Sequence, residues 1–152
     1  MKNNFNVFDL LTLKDSTFYI LETATVRQAV EKFSAHKFSV VPVIDKEGRF
    51  VSTISEGDIL RFLTTHKNVS DEFMEKAKIS EIERYRPYNS MKIDTVFDEI
   101  YALSLSQNFV PIVDDRGKYI GIIKRKDVFV YLKESLKKYF EIIIAKFKLP
   151  KR

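Results

Sequence analysis

The sequence predicts a mixed α/β (α+β) fold: two β-α-β-β-α repeats followed by a C-terminal amphipathic helix. Three observations predict it. Residues 40–63 (VVPVIDKEGRFVSTISEGDILRFL) align without a gap on residues 109–132 (FVPIVDDRGKYIGIIKRKDVFVYL). Pro42 then pairs with Pro111, Asp45 with Asp114, Gly48 with Gly117 and Asp58 with Asp127, each 69 positions on. Within each copy the apolar period switches between helical and strand spacing. The chain then closes on a lysine-rich segment whose apolar residues return every three or four positions.

Taken in order, VFDL (7–10) resembles ISEI (79–82), a fragment ahead of each copy. Phe18–Leu21 reads as a short strand. Val26, Ala29, Val30 and Phe33 form one helical face over Thr25–Ala35, with Thr25 as its cap. Val40–Ile44 is a β-branched strand that contains Pro42. Proline lacks an amide donor, so this strand is expected at a sheet edge or to begin there. Asp45 to Gly48 is a hairpin turn, Phe50–Ile54 the returning strand, and a second helix starts at Ser55. In the connection, Ser70 before Asp71 and Glu72 opens a short helix, and residues 84–88 make an irregular crossing.

The second copy repeats the plan. Met91–Ile93 is a strand. Val96, Ile100 and Leu103 mark a helix capped by Asp94 or Thr95, in a stretch where TVFDEIYAL (95–103) matches TVRQAVEKF (25–33) at an offset of 70. Phe109–Val113, with Pro111, and Tyr119–Ile123 flank the turn from Asp114 to Gly117, and a helix starts at Lys124. The expected units are 5–66 for the first repeat, 67–90 for a linker with a short helix, 91–132 for the second repeat core, and 133–152 for the basic helix and tail.

The chain has 152 residues and a net charge of +5. Residues 1–132 hold 19 basic and 19 acidic residues, whereas residues 133–152 hold seven basic and two acidic. The body is neutral and the tail is cationic, which argues against a nucleic-acid-binding globule. There is no cysteine, so disulfides, thiolate metal sites and thiol catalysis are excluded. His36 and His66 are too far apart in sequence to form a metal-ligand motif, and no metal is expected. The four glycines are scattered, so no Walker loop, GxGxxG turn or GxSxG elbow exists. No nucleophile–base pair can be assembled, which argues against an enzyme. Without a membrane-length apolar run or a signal-peptide pattern, a cytoplasmic setting is expected.

The stretches VPVIDKEG and VPIVDDRG, followed by STISEGDIL and GIIKRKDVF, resemble a tandem pair of CBS (cystathionine-β-synthase) domains, a Bateman module. The resemblance covers about residues 5–132, and SEGDIL with QNFVPIVDD is similar to stand-alone bacterial CBS-pair proteins. It implies two copies packed through their sheets with pseudo-twofold symmetry. It also implies two clefts between them that take an adenine nucleotide (AMP, ADP, ATP or a related adenosyl ligand), and association into a homodimer.

The family pattern places a Ser or Thr three residues before an Asp that receives the ribose hydroxyls. Ser55 and Asp58 fit it: a carboxylate suits a vicinal diol, and a helix start offers free amides to phosphate. The same S-x-x-D spacing also makes a capping box, and both readings stand. In the second copy Lys124 replaces the hydroxyl residue while Asp127 is kept. Lys124 or Arg125 holds a phosphate, or the loop is merely solvated. Thr23, Ala24, Asn89 and Ser90 flank the first strand of each copy, and Val41, Pro42, Val110 and Pro111 would meet the base. Asn108 is a candidate for its edge, Arg84 and Arg86 for a phosphate tail.

From Val128 the chain reads as one helix ending before Pro150. Leu132, Leu136, Tyr139, Ile143 and Phe147 form its apolar stripe, with Lys133, Lys137, Lys138, Lys146 and Lys148 over the rest. Packing on its own module or a dimer partner is the favoured reading, an anionic membrane surface the second and nucleic acid the weakest. Two functions compete: a ligand-sensing module acting on an unidentified regulated protein or its own assembly, and a scaffold with empty clefts that works through this helix.

Overall fold

A computed structural model describes residues 5–147. The chain runs β1 (Leu11–Leu13), β2 (Ile20–Leu21), α1 (Val26–His36), β3 (Val40–Ile44), β4 (Phe50–Ser55), α2 (Glu56–Thr65) and α3 (Asp71–Lys76). It continues through β5 (Met91–Lys92), α4 (Phe97–Ser104), β6 (Phe109–Val113), β7 (Tyr119–Lys124) and α5 (Arg125–Phe147). Short 3-10 turns at Val7–Asp9 and Ile79–Glu81 occupy the two matching fragments ahead of the copies.

Both copies build the same sheet. In the first, β3 pairs parallel with β2 and antiparallel with β4; in the second, β6 does so with β5 and β7. The proline strands are therefore central, and the edge expectation for Pro42 and Pro111 is corrected. The register explains it. Glu56 N–H donates to the Ser39 carbonyl at 3.0 Å, which makes Pro42 and Thr53 a pair without mutual hydrogen bonds. The Pro42 nitrogen thus faces the β2 side, where pairing starts only at Val43. Arg125 N–H to the Asn108 carbonyl at 2.9 Å does the same for Pro111 opposite Ile122. A ladder position with no donor required can hold proline inside a sheet.

The two hairpin turns close alike. Asp45 Oδ1 accepts the amides of Glu47 and Arg49 at 2.9 and 2.8 Å, and Asp114 Oδ1 those of Arg116 and Lys118 at 2.9 and 2.8 Å. Gly48 and Gly117 follow at φ 79° and 77°, a left-handed backbone that costs glycine little. These turns also join the sheets. Phe50 N–H donates to the Gly117 carbonyl at 3.0 Å, and Tyr119 N–H to the Gly48 carbonyl at 2.9 Å. Each bond maps onto the other under the repeat alignment, and Arg49 bridges its own counterpart Lys118, so the pseudo-twofold axis passes between them. Beside the axis Tyr119 is buried, which pushes its phenol up to about 12 although the Thr17 hydroxyl pulls the other way.

Each core is completed by the segment preceding the other copy. Val26, Ala29, Phe33, Val41 and Ile54 bury against Ala77, Ile79 and Ile82. Phe97, Ile100, Val110, Ile112, Ile123 and Val128 bury against Val7. β1 then adds an antiparallel fourth strand to β7, with Leu13 opposite Gly121. A Cβ at Gly121 would lie 2.1 Å from the Thr12 carbonyl oxygen, so only glycine admits this strand.

Thr25 caps α1, accepting Gln28 N–H at 3.1 Å, as the sequence predicts. The cap expected at Asp94 or Thr95 is corrected: α4 starts one residue later behind Val96, with no side-chain cap. The Thr95 hydroxyl is drawn instead to the Glu99 carboxylate. Val96 is accordingly 58% exposed, and Phe97 takes the core position. α5 is continuous through the predicted boundary at residue 132. Leu136, Tyr139, Phe140 and Phe147 on it are exposed, so the stripe does not pack on its own module there. Lys148 and the stop before Pro150 lie outside the described residues.

Candidate functional site

Ser55 and Asp58 stand where β4 passes into α2. Asp58 N–H donates to Ser55 Oγ at 3.0 Å and Ser55 N–H to Asp58 Oδ2 at 2.9 Å, a reciprocal capping box. Asp58 does more than cap. Its Oδ1 accepts Arg61 Nη2 at 2.6 Å and the backbone N–H of Tyr85 at 3.0 Å, and the residue is only 4% exposed. Burial pushes this carboxyl up, but the Tyr85 and Ser55 amides, the Ser55 hydroxyl and Arg61 outweigh it and hold the group below its ordinary range.

The crossing segment extends from there across both copies. Tyr88 N–H donates to Thr53 Oγ1 at 2.8 Å. Asn89 N–H donates to Gln107 Oε1 at 2.8 Å, and Gln107 Nε2 returns to the Asn89 carbonyl at 3.0 Å. Arg125 Nε donates to the Gln107 carbonyl at 3.0 Å, and Asn108 N–H to the Tyr88 hydroxyl at 3.3 Å. Arg84, Arg86 and Asn89 therefore lie on this segment; Asp58 and Asn108 bond to it directly, and Arg125 reaches it through Gln107. Val41, Pro42, Val110 and Pro111 are buried in the two central strands. Lys124 is exposed at the start of α5. Thr23 and Ala24 stand apart from this line, in a groove with Gln28, Lys32 and His36.

Two grooves repeat under the pseudo-symmetry. The first, of about 700 Å³, is lined by Asp58, Arg61, Phe62, Glu81, Glu83 and Tyr85 among others. The second, of about 500 Å³, is lined by Asp9, Leu11, Thr12, Asp127, Tyr131 and Glu134 among others. Asp127 therefore belongs to a groove separate from that of Asp58. Arg61 and Arg86 approach the Tyr85 ring to 4.8 and 5.3 Å at the mouth of the first. His66 lines the same groove with its Nδ1 2.6 Å from the Phe62 carbonyl, and His36 packs on Phe18. No cluster of three potential metal ligands occurs among the described residues.

Arg61, Tyr85, Thr53 and Gln107 escape a reading of the sequence as a site. The spacing of Arg61, one turn after Asp58, is a signal that could have found it. Tyr85 and Gln107 act through contacts 27 and 18 residues distant, which carry no local signature.

The CBS domain profile matches residues 9–65 and 88–134. An uncharacterized protein of Methanocaldococcus jannaschii is 25% identical over 151 residues, covering 79% of this chain and 90% of that protein. The crystal structure of CbpB in complex with c-di-AMP superposes with a TM-score of 0.79 at 22% identity, covering 90% of each chain. A CBS domain protein from Streptococcus pneumoniae TIGR4 superposes at 0.75 with 26% identity, covering 85% and 87%. With both copies matched and the tandem fold shared, the chain belongs to the CBS domain family.

Proposed function

We propose that this chain is a non-catalytic regulatory module that binds an adenine nucleotide between its repeats and signals through rearrangement of a homodimer or of a regulated protein partner. The observation that carries this reading is the Asp58 carboxylate, held ionised at a helix start and bonded directly to the segment that joins the copies. A ligand that competes for Asp58 would move that segment, giving it the differential effect on two arrangements that any switch needs. The c-di-AMP carried by CbpB supports the ligand class and keeps a cyclic dinucleotide beside AMP, ADP and ATP as a candidate. Calorimetry against AMP, ADP, ATP, S-adenosylmethionine and cyclic di-AMP tests it. Binding of one of them below millimolar is expected, and binding of none sinks the reading.

The exposed face of α5 favours a second role in assembly. Leu136, Tyr139, Phe140 and Phe147 leave apolar surface in water that a second copy would cover. Deleting residues 133–152 should convert a dimer to a monomer in sedimentation while nucleotide affinity stays the same. If affinity falls with the dimer, the clefts and the helix act as one device. If the truncated chain still dimerises, the helix is not the interface. No described helix is long and apolar enough to cross a membrane.

A further inference from the structure

The segments that wall the two grooves are duplicates that have settled differently. Continuing the match of VFDL (7–10) to ISEI (79–82) without a gap pairs Leu11–Leu13 with residues 83–85. Both fragments begin with a 3-10 turn that buries its first residue, Val7 or Ile79. Leu11–Leu13 then joins the sheet as β1, with Thr12 opposite Ile122 and Leu13 opposite Gly121. Residues 83–85 do not join theirs, and the first sheet ends at β4. The place for such a strand exists. Thr53, the counterpart of Ile122, pairs with Pro42 without mutual hydrogen bonds, so its N–H and C=O point to the side on which β7 receives β1.

What differs is the neighbouring rung. The Thr12 carbonyl lies where a Cβ on Gly121 would stand. The same rung of β4 carries Ser52. A strand laid there would drive the Arg84 carbonyl into the Ser52 Cβ, a clash that no rotamer relieves. The Ser52 hydroxyl also donates to the Thr53 carbonyl at 3.2 Å, the acceptor a fourth strand would use. Kept out of the sheet, residues 83–85 hang from a side chain. Among the described residues, Tyr85 N–H alone of these three amides has an acceptor, Asp58 Oδ1 at 3.0 Å. Farther on, Asn89 is clasped by Gln107, whose carbonyl accepts Arg125 Nε at the start of α5. We propose that residue 52 selects which groove can respond. Ser52 leaves the first groove a movable strap for a wall, tied at one end to Asp58 and at the other, through Gln107, to α5. Gly121 seals the matching wall of the second groove into the sheet. A ligand that takes Asp58 from Tyr85 releases the strap, and the second groove has no counterpart to release.

The signalling role of the strap rests on the nucleotide-binding reading. The selector does not, and amide hydrogen exchange on the ligand-free chain tests it separately. In the wild type, the amides of 83–85 should exchange faster than those of 11–13 by roughly 10-fold or more. Gly121→Ser, which puts the first copy's residue into the second, should speed 11–13 by a similar factor. Ser52→Gly should slow 83–85 by roughly 10-fold and bring the Arg84 and Thr53 backbones into NOE contact as the strap closes onto β4. Ser52→Ala keeps the Cβ and should leave 83–85 as in the wild type. Equal protection of the two segments in the wild type, an undisturbed β1 in Gly121→Ser, unchanged exchange in Ser52→Gly, or a Ser52→Ala chain that closes like Ser52→Gly each overturns the selector. If these exchange results hold but calorimetry finds no nucleotide, the functional reading falls and the selector stands.

Discussion

Gly121→Val is expected to lower stability by about 2–4 kcal/mol, at the high end of overpacking effects. The physical cause is specific. A Cβ there would sit 2.1 Å from the Thr12 carbonyl oxygen and 3.0 Å from its carbon, both backbone atoms that no rotamer change can move. The chain can relieve the clash only by lifting β1 from β7. That forfeits the pairs Leu11 with Ile123, Thr12 with Ile122 and Leu13 with Gly121, and it loosens Val7 in the second core. The counterpart position in the first copy is Ser52, where no fourth strand pairs with β4, so a side chain is tolerated. The urea midpoint of Gly121→Val should fall, and amide exchange at 11–13 and 121–123 should accelerate ahead of the rest. A wild-type midpoint with unchanged exchange would show that β1 contributes nothing to the fold.

Asp58→Ala should cost about 2–4 kcal/mol, because it leaves two part-buried amides without an acceptor at about 1–2 kcal/mol each. Ser55 N–H and Tyr85 N–H both lose their acceptor, and Arg61 loses its ion pair. The effect has a pH signature. The folded Asp58 value lies below the ordinary 3.8, so its stabilisation is fully present above about that pH and is lost as pH falls through the depressed value. The wild type should therefore lose stability below pH ~4 more steeply than Asp58→Ala, with the two curves parallel at neutral pH. Chemical denaturation at several pH values measures this. Equal acid limbs would mean that Asp58 is not ionised in the manner its hydrogen bonds require.

Much of the architecture was legible in one sequence. The turns at Asp45 and Asp114 announce themselves because an Asx side chain and a left-handed glycine act within five residues. The strands Val40–Ile44 and Phe109–Val113 emerge with their predicted ends for the same reason: a short apolar, β-branched run, buried on both faces and closed by a turn, is a local pattern. Pro42 and Pro111 mislead because an absent donor matters only on the side a neighbour pairs, and the neighbour begins one residue later. Val96 misleads because Val96 and Phe97 offer two helical registers, and only the core decides which one is buried.

The duplication, the order of elements, the cap at Ser55 and the separation of a neutral body from a cationic helix all follow from local spacing and composition. Which segment completes which core, which residues line each groove and which apolar stripe stays uncovered were decided by tertiary structure. These depend on contacts between residues far apart in the chain, such as Asp58 with Tyr85 and Gly121 with Thr12, where no short-range periodicity records the partner. Two copies of one motif thus share a fold, while their unequal neighbours leave them with unequal sites.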